Sequence, residues 1–448
     1  MTETKIKSSE DIGSPFRERG GFYAIIDCNN FYCSCERLFK PHLDKKPVVV
    51  LSNNDGCIIS RSDEAKRLGV EMAGPYFMAK PLIQKHNVAV FSSNYNLYGD
   101  LSWRVMETLH MVLGKNNVEV YSVDEAFLNL SIFPLAELPA IAMQIREAVE
   151  RNTGIKVSIG VAPTKVLAKL ANRLSKKNKA KTNCVLVLDT EERIIEALQE
   201  TPIDDIWGIG KQYAEKLKEQ WCIYDALQLS NMSEEFANKY LGGVVGARLV
   251  RELKGIPSGE MKEELVSKKM IATTRMFGSP VGDINDIKEA VATYTSRAAE
   301  KLRRQNGAAR IVSVFVVTKE QDHSLGFNRG GTISTYTTLP VATSFTNELI
   351  KPAMELVDKL YKRGQLYKKA GVMLSGIVPD ESVQGNLFLT QTKNCERRLM
   401  GMIDNINFSQ RDDVLKFAAS GTTRDWKMRQ ELRSGRYTTR WEELFEVH

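Results

Sequence analysis

Three carboxylates of this 448-residue chain end or interrupt short apolar segments. Asp27 closes the apolar run at 22–27, and Asp124 with Glu125 divides the alternating stretch at 118–130. Both stretches have the pattern of buried β-strands. Carboxylates at strand ends can hold a pair of Mg²⁺ ions, which prefer oxygen ligands and can flank a phosphoryl group during its transfer. The same residue types are common in turns, so the spacing alone leaves both interpretations open.

A basic helix is the second candidate for chemistry. Residues 165–179 have a helical period, and Lys165, Lys169 and Arg173 follow one another at spacings of four, which puts them on one face. Such a stripe could bind the phosphates of a nucleic acid. The alternative is a solvated helix face that only keeps the chain soluble.

A glycine turn before another helix is the third candidate. Gly208 and Gly210 flank an isoleucine, and Lys211 begins a segment with helical apolar spacing. This resembles a helix-hairpin-helix, in which backbone N–H groups at a helix start bind a nucleic-acid phosphate without regard to sequence. These three residues are therefore candidate DNA contacts. The alternative is a plain glycine turn between two helices.

The scaffold for these residues changes character along the chain. Strand and helix patterns alternate as far as about residue 189, whereas the next part has only helical periods. The pattern predicts an α/β multidomain chain with a small all-α unit inside it. The predicted regions are a flexible leader (1–20), a first α/β unit (21–189), an all-α unit (190–255), a linker (256–267), a second α/β unit (268–380) and a C-terminal tail (381–448).

Composition excludes several classes of protein. With 62 Lys+Arg against 55 Asp+Glu the net charge is +7, which is modestly basic. The chain has no apolar run near the roughly 18 residues of a membrane helix, and its polar start lacks a signal peptide, so we expect a cytoplasmic location. The 7 cysteines are odd in number and no CxxC pair occurs. Neither a disulfide framework nor a zinc site is favoured.

Six motifs, in this order along the chain, together resemble one known family. They are 27–36 (DCNNFYCSCE), 52–57 (SNNDGC), 91–98 (FSSNYNLY), 121–127 (YSVDEAF), 165–172 (KVLAKLAN) and 206–210 (IWGIG). The chain is similar to the Y family of translesion DNA polymerases, above all to its UmuC-type members, the polymerase subunits of bacterial DNA polymerase V. The resemblance extends from about residue 22 to the end and includes 367–374 (YKKAGVML) and 436–440 (RYTTR).

The resemblance implies a right-hand polymerase fold with divided functions. It would have an α+β palm, small fingers, an all-α thumb containing the helix-hairpin-helix, and an α/β little finger that clamps DNA. The implied boundaries are 21–31 with 97–189 for the palm, 32–96 for the fingers, 190–255 for the thumb and 268–380 for the little finger. Small fingers enclose a base pair loosely, which tolerates damaged templates at the expense of discrimination.

The resemblance also assigns roles to the carboxylates. Asp27, Asp124 and Glu125 would be catalytic and would hold two Mg²⁺ ions together with the backbone carbonyl of Cys28. The ions would assist attack of the primer 3′-hydroxyl on the α-phosphate of a deoxynucleoside triphosphate.

Nucleotide contacts follow from the same motifs. Tyr32 matches the steric gate that collides with a ribonucleotide 2′-hydroxyl, and Phe31 matches its neighbour under the incoming nucleotide. Ser60, Lys66 and Lys176 match the positions that contact the triphosphate. The chain departs from the family here, because many members have arginine where Lys66 stands and tyrosine where this chain has Asp63.

The polar segment after the second α/β unit resembles a peptide that binds the sliding clamp. Residues 384–388 (QGNLF) would bind through Gln384, Leu387 and Phe388, although the family usually has leucine in place of Gly385. The resemblance implies primer–template DNA, deoxynucleotides, the clamp, a UmuD-type partner and a RecA filament as partners, with no membrane. The tail from about 389 is the expected docking region.

Two other functions remain possible at this level. A two-metal nuclease could use the same carboxylates and basic surface. Tyr32 argues against it, since a gate against a 2′-hydroxyl is useful only for choosing an incoming nucleotide. A non-catalytic DNA-damage-binding protein would need the helix-hairpin-helix and the basic helix but not all three acids.

Overall fold

A computed structural model describes residues 21–261, 267–319, 331–386, 388, 394–410 and 413–445. The predicted leader at 1–20 and the clamp-peptide residue Leu387 lie outside the described residues.

Helices and strands occupy most of the described chain. In the first half they are β1 (Tyr23–Cys28), α1 (Phe31–Leu38), β2 (Val48–Leu51), β3 (Ile58–Arg61), α2 (Asp63–Arg67), α3 (Tyr76–Lys85), β4 (Ala89–Ser92), α4 (Tyr95–Leu113), β5 (Val118–Val120), β6 (Glu125–Asn129), α5 (Leu138–Thr153), β7 (Val157–Ala162), α6 (Lys165–Lys177), α7 (Lys179–Thr182) and β8 (Val185–Val187). In the second half they are α8 (Glu191–Gln199), α9 (Lys211–Trp221), α10 (Ala226–Ser230), α11 (Glu234–Tyr240), α12 (Val244–Leu253), β9 (Ile271–Val281), α13 (Ile284–Arg304), β10 (Gly307–Thr318), β11 (Thr332–Thr343), α14 (Thr346–Leu360), β12 (Tyr367–Pro379) and α15 (Asn394–Ser409).

A five-stranded sheet in the order β5-β6-β1-β7-β8 forms the centre of the first unit. Strand β1 lies between β6 and β7 and is antiparallel to both. Its side chains alternate between two cores, because Ala24 and Ile26 pack into one hydrophobic cluster and Ile25 into another. Burial on both faces explains why β1 is a continuous apolar run instead of an alternating one.

Helix α6 lies unusually close to this sheet at Gly160 on β7. A Cβ atom at position 160 would be 2.1 Å from the backbone nitrogen of Asn172 and 2.3 Å from the carbonyl oxygen of Ala168. Only glycine permits this approach of backbone to backbone. The Asn172 amide also donates to the Ser158 carbonyl at 2.7 Å, which fixes the position of α6 along β7.

A three-stranded sheet in the order β3-β2-β4 forms a smaller region beside the first. Strand β2 is antiparallel to β3 and parallel to β4. The four residues of β2 are fully buried, and Val49 and Leu51 pack with Ile58 and Ile83 in a separate small core.

The next region, from α8 to α12, contains helices and turns without a strand, as the helical periods predicted. Its apolar residues continue the core beneath α6, since Ile194, Leu217 and Leu253 belong to the same cluster as Leu167.

A four-stranded sheet in the order β11-β10-β12-β9 forms the second mixed unit, and all its pairings are antiparallel. Helices α13 and α14 pack together and against this sheet. The sequence patterns indicated β10 and β12 but not β9 or β11. Strand β11 is rich in threonine, and most of its residues alternate between exposed and half-buried, so it lacks the apolar signal of a core strand.

The C-terminal segment (394–445) extends across two of these regions. Asp404 on α15 accepts two hydrogen bonds from Arg303 on α13, at 2.6 and 2.7 Å. Trp426 inserts into the core of the four-stranded sheet region, and residues beyond it run along the three-stranded sheet.

Among the described residues, none of the helices has both the length and the apolar character needed to cross a membrane.

The close approach at Gly160 gives a test of this fold. Gly160→Ala should lower the free energy of unfolding by about 1–3 kcal/mol, because the new methyl group forces α6 away from β7. Urea unfolding followed by circular dichroism measures this. Gly401→Ala on α15 is the control, since a Cβ there meets nothing within 4 Å and should leave stability equal or slightly higher. Equal stability of both variants would contradict the described packing.

Candidate active site

A pocket of about 350 Å³ opens where β1, α1 and β3 meet. It brings together many of the residues that the motifs singled out. The predicted site residues that line it are Asp27, Cys28, Phe31, Tyr32, Ser60, Lys66 and Asp124.

The register of the sheet places the acids side by side. Asp27 on β1 and Glu125 on β6 are direct cross-strand partners. The Cys28 N–H donates to the Asp124 carbonyl at 2.8 Å. Asp124 therefore lies next to the end of β1, beside Asp27. The Ser122 hydroxyl donates to the Asp124 carboxylate at 2.6 Å and holds that side chain in the turn between β5 and β6. All three carboxylates are therefore neighbours.

Two lysines of α6 neutralise two of the acids. Lys176 Nζ lies 2.5 Å from Asp27 Oδ1, and Lys169 Nζ lies 2.7 Å from Glu125 Oε1. Burial raises the pKa of Asp27 to about 7 although Lys176 acts in the opposite direction. Burial also acts to raise the pKa of Glu125, but hydrogen bonds from Asp27 and Lys169 outweigh it and lower that pKa. Asp27 thus holds a proton more readily than Glu125 does.

The donor set suits a hard divalent cation. Among the described residues, no three His, Cys, Asp or Glu side chains are arranged so that they could hold a metal ion as they stand. Asp27, Asp124 and Glu125 nevertheless present oxygen atoms at one end of the sheet. The ammonium groups of Lys176 and Lys169 lie beside Asp27 and Glu125. Oxygen ligands are those that Mg²⁺ prefers, and a dication would replace the lysine charge at these oxygens.

The two rings at the start of α1 have different environments. Phe31 is buried in the core beneath the five-stranded sheet, whereas Tyr32 is half-buried and faces the pocket. The Tyr32 ring stacks on the Tyr98 ring of α4, with centroids 4.6 Å apart and planes 19° apart. Burial raises the pKa of Tyr32 to about 12, so its hydroxyl stays protonated at neutral pH.

Lys66 and Asp63, the two positions where the chain departs from the family, belong to one group of ion pairs. Lys66 Nζ donates to Asn30 at 2.7 Å and to Asp63 at 3.0 Å, and Lys179 also pairs with Asp63. Burial acts to raise the pKa of Asp63, but hydrogen bonds from Lys179 and Lys66 hold it well below its usual range. The Ser60 hydroxyl, beside this group in the pocket, contacts Cys33 Sγ at 3.3 Å.

The predicted phosphate-binding stripe on α6 is not an open basic surface. Lys165 is only 7% exposed, and its Nζ lies 2.5 Å from Glu119 and 2.9 Å from the Glu260 carbonyl. Lys169 and Arg173 are paired with Glu125 and Asp205. Contact of Lys165 with DNA stays a prediction, and in this structure the Lys165 ammonium is held by oxygen atoms of the protein. The helical spacing was right, but this face of α6 is turned toward carboxylates of the protein.

The glycine turn is exposed at the start of α9. Gly208 has φ +99°, a conformation that favours glycine, and Gly210 is the N-terminal cap residue of the helix. Lys211 is exposed beside them, with 87% of its side chain accessible. Trp207 packs edge-on against Tyr121 in the turn that carries Asp124, with centroids 5.8 Å apart. The glycine turn at 208–210 is thus held, through Trp207, next to the end of the sheet that carries the acids.

The clamp-peptide candidate lies on an exposed segment after β12. Gln384 is exposed, and the Phe388 ring is 93% exposed. Leu387, the third predicted contact, is outside the described residues.

Four residues that line the pocket were not predicted from the sequence. They are Asn30, Ile59, Arg61 and Met72. Asn30 precedes α1 with φ +49°, and it donates to Asp63 as well as accepting from Lys66. Its place in the first motif was the available signal. Ile59, Arg61 and Met72 lie in short segments without a usable period.

Solved structures define the class of fold. A chimera titled "Y-family DNA polymerase chimera Dbh-Dpo4(243-245)-Dbh" is 22% identical, covers 80% of this chain and 99% of its own, and has a TM-score of 0.65. The insertion ternary complex of Dbh DNA polymerase, also 22% identical, covers 80% and 99% with a TM-score of 0.54. This chain therefore has the fold of a Y-family DNA polymerase, which confirms the predicted right-hand polymerase fold.

Sequence comparisons then define the family. Protein UmuC of Salmonella typhimurium strain LT2 is 39% identical over 427 residues, which are 95% of this chain and 100% of that protein. Protein ImpB of Salmonella typhimurium is 37% identical, covering 94% and 98%. DNA polymerase IV of Staphylococcus aureus (strain bovine RF122) is 30% identical over 65% of this chain and 87% of its own.

Family models agree with these relatives. The impB/mucB/samB family matches residues 26–173, and its C-terminal domain matches residues 268–387. A domain of unknown function matches residues 397–447. The chain belongs to the impB/mucB/samB family, and the resemblance that the six motifs indicated is confirmed.

The buried ion pair between Lys165 and Glu119 leads to a paired test. Lys165→Met should lower the free energy of unfolding by about 3 kcal/mol, because it removes the ammonium that neutralises buried Glu119. Lys211→Met should leave stability within about 0.5 kcal/mol but weaken DNA binding and reduce its salt dependence by about one unit of slope. Thermal unfolding and fluorescence anisotropy at several salt concentrations measure both. A stable Lys165→Met protein with weaker DNA binding would instead support the predicted contact of Lys165 with DNA.

Proposed function

We propose that this protein is an error-prone, template-directed DNA polymerase that copies damaged DNA. The observation that carries the proposal is the joint placement of Asp27, Asp124 and Tyr32 in one pocket, with Glu125 paired to Asp27. Acids alone would suit a nuclease equally well. An aromatic ring beside them suits an enzyme that selects the sugar of an incoming nucleotide.

The acids provide the catalytic centre. Asp27, Asp124, Glu125 and the carbonyl of Cys28 are the proposed ligands of two Mg²⁺ ions. When bound, such ions supply positive charge to the reacting phosphate and to the departing pyrophosphate. Lys176 and Lys169 hold the carboxylates in place beforehand and keep like charges from repelling one another.

Basic and aromatic groups would position the nucleotide. Lys66 and Lys176 are the proposed triphosphate contacts, as point charges, and the Ser60 hydroxyl is a further hydrogen-bond donor. Phe31 forms the floor of the pocket from the core side, and Tyr32 packs under the sugar. The family tyrosine is replaced here by Asp63, whose pairing with Lys66 and Lys179 orients Lys66 toward the pocket.

DNA contacts are proposed for the region around α9. Exposed backbone N–H groups at Gly208 and Gly210, with Lys211 beside them, would bind a phosphate without regard to sequence. The three-stranded sheet region has only a small core, which suits fingers that enclose the base pair loosely. Weak enclosure accepts distorted templates and lowers discrimination between correct and incorrect pairs.

Partners follow from the family and from exposed apolar groups. We propose that residues 384–388 bind the sliding clamp, with Phe388 as the anchoring ring. Helix α15 exposes Leu399, Met402 and Phe408, and this supports a docking role for the tail toward a UmuD-type partner. A RecA filament and a cytoplasmic location belong to the same proposal.

Asp124→Ala tests the catalytic assignment. It should abolish deoxynucleotide addition on a primer whose template carries an abasic site, while DNA binding stays within about threefold, since the carboxylate does not hold DNA. Primer extension with Mg²⁺, a UmuD-type partner and RecA filaments, together with anisotropy, measures both. Asp44→Ala, at an exposed loop position, is the matched control. Loss of binding in parallel with activity would contradict the role, and shortening of the primer by the unmodified chain would favour a nuclease.

Tyr32→Ala tests the sugar gate. Incorporation of ribonucleotides relative to deoxynucleotides should rise by at least roughly tenfold, because removal of the ring removes a steric clash with the 2′-hydroxyl. Steady-state single-nucleotide insertion with each sugar gives the ratio. Tyr224→Ala, at an exposed position in the helical region, should leave it unchanged. An unchanged ratio in Tyr32→Ala would refute the gate.

A further inference from the structure

We propose that residues 424–437, here called the strap, position Tyr32 through Ser434, Glu36 and Tyr98. The strap lies within the region that matches a domain of unknown function. Through its effect on Tyr32, the strap would take part in sugar selection. The inference rests on the proposed function of Tyr32 as the gate. Ser434, Glu36 and Tyr98 do not line the pocket, so they act as positioning residues and not as catalytic ones.

The connection begins at the rings. Tyr98 is almost fully buried and stacks flat against Tyr32, while Tyr95 meets both rings edge-on at 6.0 and 6.2 Å. Tyr98 therefore supports one face of the Tyr32 ring and sets the position of that ring. A shift or tilt of the Tyr98 ring would move the Tyr32 ring in the pocket.

Glu36 holds Tyr98 in place. The Tyr98 hydroxyl donates to Glu36 Oε1 at 2.6 Å, and Glu36 lies one helical turn after Tyr32 on α1. Glu36 has no solvent exposure, and its second oxygen has no hydrogen-bond partner among the described residues. A buried carboxyl group with so few donors depends strongly on each of them.

Ser434 of the strap is the second donor to Glu36. Its hydroxyl lies 2.9 Å from the same Oε1 atom. The Asn94 amide, itself buried, donates to the Ser434 carbonyl and hydroxyl at 3.0 Å and to the Gly435 carbonyl at 3.1 Å. Asn94 also caps the start of α4, the helix that carries Tyr98. Ser434 is therefore fixed from one side and orients Glu36 on the other.

Backbone pairing keeps the strap against β4. The Ser92 N–H donates to the Leu432 carbonyl at 3.0 Å, and the Leu432 N–H donates to the Ser92 hydroxyl at 2.9 Å. The Gln430 amide donates to the Ser93 carbonyl at 2.9 Å. These contacts extend the edge of the three-stranded sheet and lead the chain directly to Ser434.

The other end of the strap is anchored in the four-stranded sheet region. Trp426 is buried against Phe277 and Tyr294, with centroids 6.4 and 5.8 Å away. The Gly278 N–H donates to the Trp426 carbonyl at 3.1 Å. Asn54, in the loop before β3, donates to the Phe277 carbonyl and accepts from the Arg429 N–H, both at 2.8 Å. The strap thus connects that region physically to the packing behind Tyr32.

Ser434→Ala tests the positioning role with a readout that general stability does not move. We expect the preference for deoxynucleotides over ribonucleotides to fall by roughly tenfold, as when a single hydrogen bond to a buried carboxyl is lost. The deoxynucleotide kcat should stay within about threefold, because the acids and the triphosphate contacts are unchanged. Single-nucleotide insertion by the full chain with its partners, with either sugar, measures the ratio.

Two further variants make the outcome decisive. Ser420→Ala removes a hydroxyl equally buried in the C-terminal segment but outside the strap, and it should leave the ratio unchanged. Tyr98→Phe keeps the stacked ring and removes only its hydrogen bond to Glu36, so it should reproduce the effect even if Ser434→Ala folds poorly. An unchanged ratio in Tyr98→Phe and in folded Ser434→Ala, while Tyr32→Ala raises ribonucleotide use, would overturn the positioning role alone. An unchanged ratio in Tyr32→Ala would overturn the gate, and the inference with it.

Discussion

The register between β1 and β6 is the constraint on which the site depends. Asp27 faces Glu125 because Ile25 faces Phe127 and Ile26 faces Ala126 in the same ladder. Both faces of β1 are buried, and each large apolar side chain contributes about 1.5–3 kcal/mol of burial. A slip by one residue would exchange the two faces of the strand and lose this packing on both sides. The apolar core therefore fixes which carboxylates are neighbours, although it makes no contact with a substrate itself.

Neighbouring acids at a buried sheet end need positive charge, and the position of α6 provides it. Lys169 and Lys176 are seven positions apart, about two helical turns, so they reach the sheet edge from one face of the helix. They reach it because α6 lies directly on β7, which in turn requires the absence of a side chain at Gly160. A glycine without chemistry of its own thus determines the electrostatics of the acids.

Local patterns were sufficient to predict much of the fold, but they left the role of the three acids open, and only the family resemblance assigned it. The strands that carry Asp27 and Glu125 are short apolar runs with clear ends, and the helices of the α unit have regular periods. Helical spacing placed Lys165 on a face with Lys169, but spacing cannot tell whether that face meets water or Glu119. Strands β9 and β11 were not predicted, because their many polar, partly exposed residues give a pattern typical of loops. The contact of Ser434 with Glu36 has no local signature, since it joins residues 398 positions apart.

That separation has a consequence for the order in which the protein is completed. The ribosome adds residues from the N-terminus at about 5–20 per second, and earlier regions begin to fold before later ones exist. All strands of the five-stranded and three-stranded sheets lie within residues up to 187, so both sheets can form early. The Glu36 carboxyl, however, stays without its serine partner until Ser434, 398 positions later, has been added. A chain whose synthesis stopped before Ser434 would carry its acids in a folded sheet while the packing behind Tyr32 was still incomplete.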